Sequence, residues 1–130
     1  MNYPLGQFEK ETITSKSGKH LSDITLQEVK NGNITSEDIK ISRETLHKQA
    51  QVCVEHDNPA MAANLSRAAE LVDVPDDIIL KMYNQLRPNR SAKKDLLDMA
   101  HELQDKYHAP LCAKMVLEAA DIYEKRGILL

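Results

Sequence analysis

The stretch VPDDIILKMYNQLRPNRSAKKDL, residues 74–96, holds one complete helix, its stop signal and the start of the next. Ile78, Ile79, Met82, Tyr83 and Leu86 recur at the three- and four-residue spacing of one helix face. Val74-Pro75 opens the helix, and Asp76 and Asp77 fall in its first turn, where carboxylates favour the positive end of the helix dipole. Pro88 pushes Arg87 toward an extended conformation, so the helix ends there, and Ser91 is placed to cap its successor. A helix that stops and restarts within a few residues predicts neighbours packed nearly antiparallel in an all-α fold.

The same punctuation runs outward in both directions. Upstream, Ser42 caps a helix to about Glu55 carrying Leu46, Ala50, Cys53 and Val54. Asn58-Pro59 then starts a helix with Met61, Leu65, Ala68, Ala69 and Val72, a stripe of small residues that lets another helix come close. Downstream, the helix after Ser91 carries Leu96, Met99, Ala100, Leu103 and Tyr107. Pro110 opens a last one through Leu111, Met115, Ala119, Ile122 and Tyr123, ended by Gly127. Before Ser42 the pattern thins to a short helix begun at Asp23 or Thr25, carrying Leu26 and Val29 and stopped by Asn31-Gly32. One more turn follows, capped by Thr35 or Ser36. Residues 1–20 carry Pro4, Gly6 and Gly18 and no sustained periodicity. The expected organisation is an extended N-terminal arm over 1–20 and a single helical domain over 21–130. The expected fold is a small all-α bundle of about five helices preceded by short helical turns.

Composition narrows the class. The 130 residues are 42% hydrophobic but 4% aromatic, with one Phe and no Trp, so the core must be aliphatic. The formal net charge of -3 speaks against a phosphate-backbone binder, and nucleic acid is not an expected partner. Cys53 and Cys112 form neither a C-x-x-C pair nor a dense disulfide framework, and read as buried thiols in a reducing compartment. No apolar run approaches the roughly 20 residues that span a bilayer, and the N-terminal residues lack a signal-peptide pattern. No membrane partner is expected, and the expected location is the cytoplasm.

Candidate chemistry fails at each motif. HELQD, residues 101–105, begins like a zinc-protease helix, but the second histidine is replaced by Asp105. The other histidines are not spaced to share one ion, so no metal site is expected. SKSGKH, residues 15–20, ends like a phosphate loop, yet the earlier glycine is Ile13 and Lys19 is followed by His20. Met61, Met82, Met99 and Met115 sit at core spacing. What remains is the basic turn. Arg87 complements a helix C-terminus, whereas Lys93 and Lys94 in the next first turn do not, which suggests that these cations answer to something outside the helix. A solvated turn and a carboxylate-rich partner surface, which arginine reads in bidentate fashion, are both open readings, and a small anionic ligand is the third.

The segments LSDITLQEVKNG, IKISRETLHKQAQV, NLSRAAELVDVPDDIILKMYNQLRPNRS, DLLDMAHEL and EAADIYEKR occur in this order. Together they resemble the small (gamma) subunit of adenosylcobalamin-dependent diol dehydratase or glycerol dehydratase, over about Gly18 to Arg126. The resemblance implies a large (alpha) subunit holding substrate in a β/α barrel, a medium (beta) subunit helping to hold the cobalamin, and a helical small subunit packed on the large one. It implies a heterohexamer that dehydrates 1,2-propanediol or glycerol to an aldehyde. It places no catalytic, cofactor-binding or metal-binding residue in this chain, and the adenosylcobalamin is held by the other subunits. Family expectation and residue chemistry together nominate Asp23, Ile24, Leu26, Ser42, Arg43, Arg87 and Arg90 for the partner interface. Family members from bacterial microcompartments can carry extended N-termini. The arm here is short and weakly amphipathic, which favours the bacterial cytoplasm, with a microcompartment as the alternative setting. Residue chemistry without the resemblance leaves a free-standing helical adaptor docking an acidic partner.

Overall fold

The computed structural model of the chain describes residues 2–130 and is all-α. The first residue of the expected arm lies outside the described residues. Among them are seven α-helices: α1 (Leu5–Phe8), α2 (Leu26–Lys30), α3 (Arg43–Glu55), α4 (Pro59–Glu70), α5 (Asp76–Gln85), α6 (Lys93–Asp105) and α7 (Pro110–Arg126). Two 3₁₀ turns, Leu21–Asp23 and Ser36–Ile39, complete the set, and β structure among the described residues is confined to two isolated bridges. The five longer helices, α3 to α7, fall where the proline and cap signals put them. The chain forms two compact units, Met1–Val72 and Asp73–Leu130.

In the first unit α3 packs against α4. The hairpin between them is a Schellman closure: Asn58 N–H reaches Cys53 O at 2.8 Å and Asp57 N–H reaches Val54 O at 3.2 Å. Asp57 takes the left-handed conformation this needs, with φ 57°. Asn58 then caps α4 by accepting from Met61 N–H, and Pro59 occupies the first helical position. Ser42 caps α3 through Thr45 N–H, and Thr25 caps α2 through Glu28 N–H. Leu46, Ala50 and Val52 are the buried face of α3, whereas Val54, expected inside, is exposed. The segment expected as an arm is extended and turned beyond α1. It folds on itself through the bridge Thr14 to His20, and is tied to the rest of the unit by the bridge Ser15 to Ile41 and by Lys48 Nζ donating to Thr12 Oγ1 at 2.7 Å.

In the second unit α6 packs against α7, and its inward residues Leu96, Met99, Ala100 and Leu103 are all buried. Two expectations need correction here. Ser91 does not cap α6. The cap residue is Ala92, whose N–H is accepted by Asp95 at 2.9 Å, while the Ser91 hydroxyl donates to Gln85 O at 2.8 Å. A buried serine beside the end of the preceding helix finds an orphan carbonyl there. On α7 the face is also different. Cys112, Ala113, Val116 and Ala120 are buried, and the expected stripe of Leu111, Met115 and Ile122 points outward. The helix carries two apolar stripes, and the smaller side chains allow the closer approach to α6. Of the four methionines at core spacing, Met82 and Met99 are buried, and Met61 and Met115 are exposed. Cys112 is buried, Cys53 half-buried, and both are free thiols.

Candidate functional site

The basic turn lies at the end of α5, in the second unit. An α-helix leaves its last carbonyls without partners, and here two are taken up by side chains. Ser91 Oγ donates to Gln85 O at 2.8 Å and Tyr123 Oη donates to Leu86 O at 2.6 Å. Pro88 breaks the helix, and Asn89 turns the chain with φ 62°, a left-handed conformation that asparagine tolerates. Its N–H donates to Ile128 O at 2.8 Å, and Leu130 N–H donates to Ser91 O at 2.9 Å. Residues 128–130 reach the turn because Gly127, at φ 68°, reverses the chain after α7. Arg87 therefore sits between fixed points at Leu86 and Asn89, and Arg90 between Asn89 and Ser91.

The backbone is held, while the guanidinium groups are not. Arg87 and Arg90 are exposed, and neither side chain forms a hydrogen bond or ion pair with any described residue. Leu80 (62% exposed) and Tyr83 (67%) lie three residues apart on the outward face of α5, and Arg87 follows two residues after the helix ends. Tyr83 was expected in the core from its spacing with Ile79, and the helix instead buries Met82. An open depression of about 590 Å³, lined by Asp77, Leu80, Lys81, Asn84, Gln85 and Arg90, runs along this face. Tyrosine and arginine are enriched among the residues that dominate binding energy at protein interfaces. Leu80 is not singled out in the sequence, and Tyr83 is placed there with the core residues. The three-residue step from Leu80 to Tyr83 is the signal that sets them on one face, apart from Met82.

The two lysines beyond the turn have different fates. Lys93 reaches Glu124 Oε2 at 2.8 Å and Asp121 Oδ1 at 3.6 Å. The Glu124 carboxylate, helped by Asp121, holds its pKa above the ordinary lysine value. Lys93 thus answers to α7, while Lys94 is exposed and unpaired among the described residues.

The other interface candidates lie in the first unit. Asp23 is exposed, and its carboxylate accepts His20 N–H at 3.0 Å. Ile24 is half-buried, and Leu26, at 72%, is among the most exposed apolar residues of the chain. Val29, Leu21 and Ile39 are exposed on the same 21–41 segment. Ser42 is 5% exposed, with its hydroxyl 2.8 Å from Thr45 Oγ1, so burial and capping account for it. Arg43, the first residue of α3, is half-buried. The candidates therefore gather as two sets, one in each unit.

No group of three or more His, Cys, Asp or Glu among the described residues could hold a metal ion. No helix among them is long and apolar enough to cross a membrane.

A family model for the dehydratase small subunit matches residues 1–130. The chain is 42% identical over 125 residues to the propanediol dehydratase small subunit of Salmonella typhimurium, covering 96% of this chain and 72% of that protein. It is equally similar, 42% over 125 residues, to the propanediol dehydratase small subunit of Citrobacter freundii, covering 96% and 73%. The ordered segments that carry the resemblance in the sequence are thus part of an end-to-end match, and the chain belongs to the dehydratase small-subunit family.

Proposed function

We propose that this chain is the noncatalytic small subunit of an adenosylcobalamin-dependent propanediol or glycerol dehydratase of the bacterial cytoplasm. In this reading it packs on the large subunit of a heterohexamer that also contains the medium subunit. The observation that carries the docking is the exposed pair Leu80 and Tyr83 on α5, followed by two guanidinium groups without partners on the fixed turn after the helix. Planar five-donor forks of this kind match carboxylates in bidentate fashion, so the facing surface on the large subunit is acidic. Asp23, Ile24, Leu26 and Arg43 form a second set of contacts on the first unit, where the exposed apolar side chains supply buried area.

The cofactor belongs to the other subunits. The chain's contribution to the reaction is to hold the large subunit in its assembled form, and activity of the complex depends on it without any of its groups touching substrate.

The test is competition for the large subunit. Arg87→Ala with Arg90→Ala is expected to weaken association of the chain with the co-expressed larger subunits by at least about tenfold, which asks about 1.4 kcal/mol of the two arginines together, a residue type enriched among interface hot spots. The weakening should fade in high salt, where exposed charges are screened. Unchanged association at low salt would refute this docking face.

A further inference from the structure

Four hydrogen bonds converge on the turn from outside it or across it, and three of them engage residues 123–130. Tyr123 Oη takes the Leu86 carbonyl at 2.6 Å, Ile128 O receives Asn89 N–H at 2.8 Å, and Leu130 N–H donates to Ser91 O at 2.9 Å. Tyr123 is half-buried, with its hydroxyl turned to the end of α5. The ion pair of Lys93 with Glu124 fixes the start of α6 against the last turns of α7. The arginine side chains contribute no bond to this lattice; Arg87 takes part only through its backbone N–H, which donates to Asn84 O at 3.3 Å.

An unfixed arginine loop would lose backbone and rotamer freedom on docking, and that loss subtracts from affinity. Here the backbone part is spent when the chain folds. From this arrangement we infer that Tyr123 and residues 128–130 are positioning residues for docking: they set the affinity for an acidic partner surface by holding Arg87 and Arg90 in place. The inference rests on the docking reading above and adds to it a segment, 123–130, that gains its role through hydrogen bonds to the turn. The partner it fits is a surface presenting carboxylates within reach of two arginine side chains that start from a fixed backbone.

Two variants remove single bonds. Tyr123→Phe deletes the hydroxyl that Leu86 O accepts, and Leu130→Pro deletes the N–H that Ser91 O accepts, leaving α5, α6 and α7 intact in sequence. Each is made in the wild-type chain and in the chain carrying Arg87→Ala and Arg90→Ala. Association with the co-expressed larger subunits is read by displacement of a labelled wild-type chain, and amide exchange is read at Asn89. In the wild-type background each variant is expected to weaken association about fivefold, the effect of one net hydrogen bond, and to speed exchange at Asn89. In the double-arginine background the loss of affinity should vanish while faster exchange persists, because residues that act through one another are not additive. Equal weakening in both backgrounds would mean a general structural role and overturn the inference, as would unchanged association with faster exchange. If the double-arginine variant alone binds like wild type, the docking reading fails first and the inference with it.

Discussion

Asp38 accepts from the Ser17 hydroxyl at 2.7 Å and from Thr35 N–H at 2.8 Å, and these bonds, the hydroxyl first, lower its pKa below the ordinary carboxylate value. A carboxylate whose folded pKa is depressed adds stability at any pH above its unfolded value and loses it as the pH falls through the folded value. The Ser17 bond ties the 14–20 segment to the turn before α3, while the Thr35 bond is local to that turn, so the Ser17 part of the effect reports on whether the arm is docked. Thermal melts of Asp38→Asn and wild type should differ at neutral pH and converge in acid; a gap that stays constant with pH would show that the carboxylate's charge has no part in it. Arg87, Arg90 and Lys93 make the complementary point about charge. All three were legible in the sequence as cations around one turn. That Lys93 is satisfied by Glu124, thirty-one residues later, while the arginines are left to solvent, depends on how α7 returns to α6, which spacing along one helix does not encode.

Helix ends were the most legible elements because their chemistry is local. Thr25, Ser42, Asn58 and Gly127 act as caps where their residue types require it. Both long hairpins use one device, a residue at positive φ two positions before a proline: Asp57 before Pro59, and His108 before Pro110. Helix faces were less legible, because an apolar stripe says that something covers it and not what. On α7 the stripe of larger residues was the natural choice for the core, and the structure buries the stripe built on Cys112, Val116 and Ala120 instead. The two faces should separate in stability. Leu96→Ala, at a fully buried position of α6, should cost about 2–5 kcal/mol. Ile122→Ala, on the outward face of α7, should cost under about 1 kcal/mol. Denaturant titration of the two variants checks this, and equal costs would mean that the outward stripe is covered within the chain.

At the scale of the whole chain, the absence of a recognisable catalytic motif and the abundance of outward apolar and basic residues belong together. A dehydratase small subunit is one part of a larger enzyme, and the surface it offers is expected to resemble half of an interface. The exposed Leu26, Leu80 and Tyr83 fit that description in both units. The family was legible from a few ordered segments, whereas the docking face became visible only once α5 showed which of its sides is buried. The central claim is that the chain acts by completing an assembly, and one measurement reaches it most directly. The large and medium dehydratase subunits from the same organism are co-expressed with and without this chain. Aldehyde formation from 1,2-propanediol and from glycerol is then assayed with adenosylcobalamin supplied. The account predicts that the chain co-elutes with the larger subunits in size-exclusion chromatography, that aldehyde forms only in its presence, and that the chain alone forms none. Full activity without the chain, or turnover by the chain alone, would contradict it.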